Sequence, residues 1–151
     1  MPLTVLPFPI EDYEEIFSLW RQSEGLGLSE ADSKEPLDRF LLQNPGTSFV
    51  ARLDGRIVGT ILTGHDGRRG YVYHVAVHRD YRRRGVERRL VERALKALHE
   101  AGISKCHLFV FPDNPGGMVF WKSLGWEERT DLKVFSRILD EEGERSRFHR
   151  P

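Results

Sequence analysis

Between Val75 and Leu90 the chain reads VAVHRDYRRRGVERRL: a short apolar run, an arginine-dense turn around Gly85, then residues at helical spacing. A strand-like run that passes through one glycine into a 3.6-residue period forces strand, turn and helix in immediate succession. Leu90, Val91, Ala94, Leu95 and Leu98 carry the helix to Gly102, a suitable residue for its C-terminal stop, and ISKCHLFVF follows as a buried strand. Strand, helix, strand over residues 71 to 111 is a crossover, which makes the two strands parallel and lays the helix on one face of a sheet. The first N–H groups of such a helix are unpaired and carry partial positive charge. With a glycine and arginines around them they form a receptor for phosphate groups.

The basicity is local. From residue 75 to 96, eight cations (Arg79, Arg82, Arg83, Arg84, Arg88, Arg89, Arg93 and Lys96) face only Asp80, Glu87 and Glu92, in a chain of zero formal net charge. The first 48 residues lean the other way, with nine carboxylates against Arg21, Lys34 and Arg39. Segregation of this kind can steer an anionic ligand to one region and a cationic one to another, although solvated helix faces produce it too.

Upstream of the crossover, TVLPF (4–8) reads as a first strand, and Tyr13, Ile16, Phe17 and Trp20 predict an amphipathic helix over roughly 10 to 22. SEGLGLSEADS is a loop, after which Ser33 can cap a second helix presenting Leu37, Phe40 and Leu41. TSFVARL and RIVGTILTG are joined by Asp54-Gly55, a strong hairpin signal, and a second turn at Asp66-Gly67 leads to GYVYHVAV, so residues 47 to 77 predict an antiparallel meander. Beyond the crossover, Pro115 to Leu124 makes a short helix stopped by Gly125. WEERT and KVFSRIL are two further strand candidates. The expected result is a single α/β (α+β) domain over residues 1–140, a mixed sheet of six or seven strands with helices on both faces, followed by a frayed polar tail, 141–151.

At 151 residues the chain can bury a sizeable core, and with 39% hydrophobic and 30% charged residues it has the composition of a soluble globular protein. It has no membrane-length apolar run and no signal-peptide pattern, so a cytoplasmic location is expected. Cys106 is the single cysteine, which excludes an intramolecular disulfide, and the six histidines show no metal-ligand spacing. No metal is expected.

Order and motifs together resemble the GCN5-related N-acetyltransferase (GNAT) family, over nearly the whole chain. The most specific match is the family's acetyl-CoA motif, Q/R-x-x-G-x-G/A, which reads here Arg82-Arg83-Arg84-Gly85-Val86-Glu87. The resemblance implies that backbone amides from Arg83 to Arg88 bind the pyrophosphate, and that Val75, Ala76 and Val77 pair with the pantetheine arm as an added strand. A second match is NPGGMVFWKSLGW, in the place of N-x-x-A-x-x-F-Y-x-x-x-G-F. By resemblance Asn114 contacts the cofactor, Trp121 lies beside it, and Phe120, Leu124 and Gly125 hold packing positions. Dimers are common in the family.

Two residues depart from the pattern. Glu87 stands where the family prefers Gly or Ala, and a carboxylate about 4 Å from a phosphate charge costs on the order of 4 kcal/mol at an effective dielectric of 20. Glu87 is therefore expected to turn outward toward Arg83, Arg84 or Arg88. Trp121 stands where many members have the tyrosine that protonates the departing thiolate, and indole cannot serve as an acid.

The resemblance implies direct attack of an amine on the acetyl thioester in a ternary complex, with a backbone N–H on the strand that ends at Val77 as the oxyanion donor. Regular alternation puts Tyr71, Tyr73, Val75 and Val77 on one face and Val72, His74 and Ala76 on the other. Tyr73 is the leading catalytic candidate, as the acid that replaces the missing tyrosine. His74 has a suitable intrinsic pKa but is expected on the opposite face, packed or hydrogen-bonded. The acceptor, a small-molecule or peptide amine, is expected near Tyr71, Tyr73 and the loop from Glu24 to Ser29, where Glu24, Glu30 and Asp32 can attract a cation. Two rivals remain: a CoA-binding regulatory protein without turnover, and a nucleic-acid-binding module. The second lacks aromatic residues interleaved with the arginines.

Overall fold

A computed structural model of the chain describes residues 2–24 and 26–140; the expected tail, 141–151, lies outside the described residues. Its centre is a five-stranded sheet in which strands follow one another in chain order: β1 (Thr4–Pro7), β2 (Phe49–Leu53), β3 (Arg56–His65), β4 (Gly70–Val77) and β5 (Cys106–Leu108). The first four are antiparallel and β5 runs parallel to β4, the arrangement that a meander followed by a crossover dictates. At the β2–β3 hairpin both Asp54 (φ 52°) and Gly55 (φ 75°) are left-handed, the geometry that matches the twist of paired strands. Asp66 Oδ1 accepts from the N–H groups of Arg68 and Arg69 and so shapes the loop between β3 and β4.

Helices α1 (Tyr13–Arg21) and α2 (Lys34–Gln43) cover one face, and α3 (Val86–Glu100) and α4 (Pro115–Ser123) the other. Under α3, Phe49, Ala51, Val58, Ile61, Val72 and Val77 pack against Val86, Leu90, Val91 and Ala94. Under α1 and α2, Val50, Ile57, Leu62 and Ala76 pack against Ile16, Trp20 and Leu37. Burying side chains of this size contributes roughly 1.5–3 kcal/mol each, and supplies most of what holds the helices to the sheet. Trp20 is fully buried and satisfies its indole by donating to Thr60 Oγ1 at 2.9 Å.

Two expectations change. The strands anticipated in WEERT and KVFSRIL do not form: residues 126–139 make no ladder, and Leu132, Val134, Phe135 and Leu139 stand exposed. An alternating pattern becomes a strand only beside a partner edge, and β5 is three residues long; Arg129 and Asp131, joined by a two-pronged ion pair, instead flank a bend. The second change lies in β4. Leu62 pairs with His74 and Thr63 with Val72, so Tyr73 has no residue opposite it and forms a β-bulge. The bulge reverses the alternation. Tyr73 and His74, adjacent in sequence, both face α1 and α2, whereas Val72, Val75 and Val77 face α3.

Candidate functional site

The site begins with an opening in the sheet. Strand β4 is bonded to β3 along its length, but its pairing with β5 stops at Val72 opposite Leu108. Among the described residues, no strand lies beside the outer edge of β4 from Tyr73 to Val77. An unpaired edge offers N–H and C=O groups at strand spacing, which an extended chain of amides can satisfy.

At the end of this edge the chain makes a one-turn 3-10 helix, Arg79–Tyr81, and then a turn in which Arg83 (φ 62°) and Gly85 (φ 80°) are both left-handed. Glycine adopts that conformation at no steric cost, and an arginine there is uncommon enough to mark a constrained turn. Arg82 holds the turn to the strand by donating Nε–H to the carbonyl of Val77 at 3.2 Å. The first intrahelical bond of α3 runs from Arg89 N–H to Gly85 O, which leaves the N–H groups of Val86, Glu87 and Arg88 without helical partners. A Cβ built on Gly85 meets nothing within 4 Å, so the space beside the turn is open. Donors without intrahelical partners at a helix start fit a pyrophosphate.

The arginines divide into distinct tasks. Arg89 donates to Leu3 O, Arg93 lies 4.5 Å from the centre of the Phe49 ring, and Arg84 stacks 5.3 Å from that of Tyr81. Arg83 and Arg88 are exposed beside the turn and are the cations placed to meet an anion. Glu87 does not turn fully into solvent as expected. It is half-buried, its carboxyl is pushed above the usual range by desolvation, and the cation that partly offsets this is Arg82 rather than Arg83, Arg84 or Arg88.

Across the opening, Asn114 stands at the N-terminus of α4 and its Oδ1 accepts from Gly117 N–H at 3.0 Å, leaving its NH2 group as the donor to spare. A Cβ at residue 117 would lie 2.7 Å from Asn114 Nδ2, so the glycine found where the family pattern has alanine permits this cap. Trp121 is half-buried and packs edge-on against Phe120 and Trp126.

On the opposite side of β4, Tyr71 and Tyr73 stack with ring centres 6.1 Å apart, and Phe40 of α2 meets Tyr73 edge-on at 5.5 Å. Tyr73 is 49% exposed, and desolvation raises its pKa, so at neutral pH its phenol can donate a proton but not accept one. Glu24 is exposed at the loop. Asp32 is not available to a cation. It is 5% exposed, with Oδ1 at 2.6 Å from His74 Nε2 and Oδ2 accepting from Ser29 N–H at 2.9 Å. This buried contact escapes a reading of residue types, and its one signal was the Ser29-x-x-Asp32 spacing of a capping box. Cys106 is half-buried, and desolvation pushes its thiol up to about 11.

The family model described as Acetyltransferase (GNAT) family matches residues 12–126. An acetyltransferase of Photorhabdus laumondii is 34% identical over 138 residues, covering 89% of this chain and 96% of that protein. Among solved structures, the PaiA N-acetyltransferase of Thermoplasma acidophilum in complex with coenzyme A is similar at a TM-score of 0.75 and 22% identity, over 87% of this chain and 94% of that one. The aminoglycoside acetyltransferase AAC(6')-Iy, in complex with a bisubstrate analogue of CoA and acetylneamine, is similar at a TM-score of 0.73 and 19% identity, over 91% and 99%. The chain belongs to the GNAT family of acetyltransferases and is an N-acetyltransferase with acetyl-CoA as its cofactor.

Proposed function

We propose that the chain moves the acetyl group of acetyl-CoA to a primary amine of a small molecule or peptide, by direct attack in a ternary complex. The observation that carries this reading is the unpaired outer edge of β4 from Tyr73 to Val77, which ends at the open helix start of α3. The backbone of residues 75–77 holds the pantetheine arm, the N–H groups of Val86 to Arg88 hold the pyrophosphate with Arg83 and Arg88 beside them, and Asn114 contacts the cofactor from α4. Acetyl-CoA supplies a thioester whose carbonyl carbon accepts the amine nitrogen while the thiolate departs. A fixed backbone N–H on the strand that ends at Val77 stabilises the developing oxyanion without reorganisation. Tyr73 donates to the thiolate the proton that Trp121 cannot; the ammonium, near pKa 10 when free, first loses one proton to water at the mouth of the site, and the proton released from nitrogen as the amide forms restores the Tyr73 phenol. The acceptor enters over Tyr71, Tyr73 and the loop from Glu24 to Ser29. Its class is that of a cationic amine, in keeping with the acidic first 48 residues.

The test is a thiol-release assay with acetyl-CoA against spermidine, lysine methyl ester, an alanyl peptide and neamine. Release that depends on an amine is the expected result. Saturable acetyl-CoA binding with no release across that panel would overturn the reading in favour of a regulatory CoA-binding protein. Tyr73→Phe is expected to lower kcat by about a hundredfold, the lower end of the range typical of general acid catalysis. Unchanged turnover would remove the acid role and leave proximity and water.

A further inference from the structure

We propose that Asp32 and His74 form a buried latch that holds the acceptor loop against β4, and that both are positioning residues for the acceptor amine. This rests on the proposal that the loop after Glu24 receives the acceptor.

Asp32 closes the one-turn 3-10 helix Glu30–Asp32, and its polar groups are partnered by three parts of the fold, its own turn, α1 and β4. One carboxylate oxygen accepts from the N–H of Ser29 and fixes the loop's own turn, while Ser29 Oγ accepts from Ala31 N–H at 3.2 Å. The other carboxylate oxygen meets His74 Nε2 across 42 residues of sequence. Its backbone carbonyl accepts from Tyr13 Oη at 2.8 Å, which brings in the first turn of α1. His74 in turn lies edge-on to Trp20 at 5.1 Å, so its ring is held between α1 and the sheet. Asp32 and His74 are 5% and 8% exposed.

The position of His74 gives the contact its meaning. It follows the bulge residue Tyr73 and precedes Val75 to Val77, the segment that borders the opening. Without the bulge, Tyr73 and His74 would point to opposite faces; with it, the loop is fastened beside the phenol that projects toward the acceptor. Leu26 and Leu28 pack onto the core under α1 and α2, so the loop rests on apolar contacts whose register the polar contact specifies. The latch sets where the amine sits relative to the thioester, and it does not touch the groups that bind phosphate.

Asp32→Asn and His74→Phe, singly and combined, test this. Acetyl-CoA affinity is measured by calorimetry, amide hydrogen exchange is followed over residues 26–33 and 86–98, and amine KM and kcat are measured for whichever of spermidine, lysine methyl ester, an alanyl peptide or neamine the wild-type chain turns over fastest. The expected result is an amine KM raised at least tenfold with kcat within threefold. Acetyl-CoA Kd stays within twofold, and exchange is at least tenfold faster at 26–33 and unchanged at 86–98. The combined variant should resemble either single one, because both act through one contact. An unchanged KM, or a parallel rise of amine KM and acetyl-CoA Kd, overturns the proposal, and so does exchange at 26–33 that does not respond. If a single variant fails to fold, the wild-type chain decides. Amides 26–33 protected as strongly as those of β4 support the latch, and unprotected amides refute it. If no amine is turned over, the acceptor reading has failed, and the exchange measurements still judge the contact itself.

Discussion

Glu87 is the residue at which this site departs furthest from an anion receptor. A carboxylate about 8 Å from a bound phosphate charge would oppose it by about 2 kcal/mol at an effective dielectric of 20, and solvent and Arg82 would reduce this to about 1 kcal/mol. Glu87→Gln is therefore expected to tighten acetyl-CoA binding about fivefold at pH 7.5 in calorimetry, with the gain shrinking as pH falls and the wild-type carboxyl, its pKa raised by burial, takes up its proton. Equal or weaker binding by the variant would show that the carboxylate does not face the phosphates. Stability should follow the same titration. Because burial raises its folded-state pKa, Glu87 favours folding below the ordinary carboxylate range and loses that contribution as pH rises through the raised value, so Glu87→Gln should raise Tm at pH 7.5 and not at pH 4. Cys106 makes a simpler case. With its thiol pushed up to about 11, roughly one molecule in a thousand carries thiolate at pH 8, and iodoacetamide should label it more than a hundredfold more slowly than free cysteine until the chain is unfolded. Labelling of the native chain within minutes, read by mass spectrometry, would contradict this.

At the scale of the element, close approach decides how the second helix sits. A Cβ at residue 64 would lie 2.6 Å from Phe40 Cζ and 2.9 Å from Asn44 Cγ, so Gly64 is where α2 rests on β3. Asn44 also caps the end of β3 by accepting from His65 N–H at 2.9 Å, and Phe40 supports Tyr73. Gly64→Ala should cost about 1–3 kcal/mol in chemical denaturation, as overpacking typically does, and should lower turnover through the displaced tyrosine. A variant as stable as the wild type would show that α2 can slide at no cost. Much of this layout was legible beforehand. Asp54-Gly55 demanded a hairpin, the 3.6-residue spacing of Leu90 to Leu98 demanded a helix, and Gly85 and Asn114 sit at the helix starts their types favour. The bulge was not legible, because YVYHVAV is apolar or aromatic on both phases and reads the same with or without an inserted residue. Nor was the fate of KVFSRIL, since a strand depends on its neighbour and β5 proves too short to be one. The Asp32–His74 contact joins residues 42 apart, a distance no local pattern encodes.

In the whole molecule, the part beyond α3 is held differently from the rest. β5 meets β4 through three residue pairs, and α4 contributes no fully buried residue. By contrast, β2 and β3 lie under helices on both faces. Stability of this distribution predicts local opening of residues 106–125 well below the global unfolding free energy, hence faster amide exchange there than in β2 and β3. On the proposed reading acetyl-CoA bridges β4 and α4 and should slow that exchange selectively; uniform protection across the chain would argue against that placement. The unpaired stretch of β4 also bears on selectivity. A strand edge recognises amide groups by their spacing and is indifferent to what they carry, so on the proposed reading Val75 to Val77 bind the amides of the pantetheine arm whatever acyl group follows them. Discrimination between acetyl and longer acyl donors must then come from side chains where the arm ends, and lengthening the acyl chain should tax the rate of transfer more than the affinity of the donor.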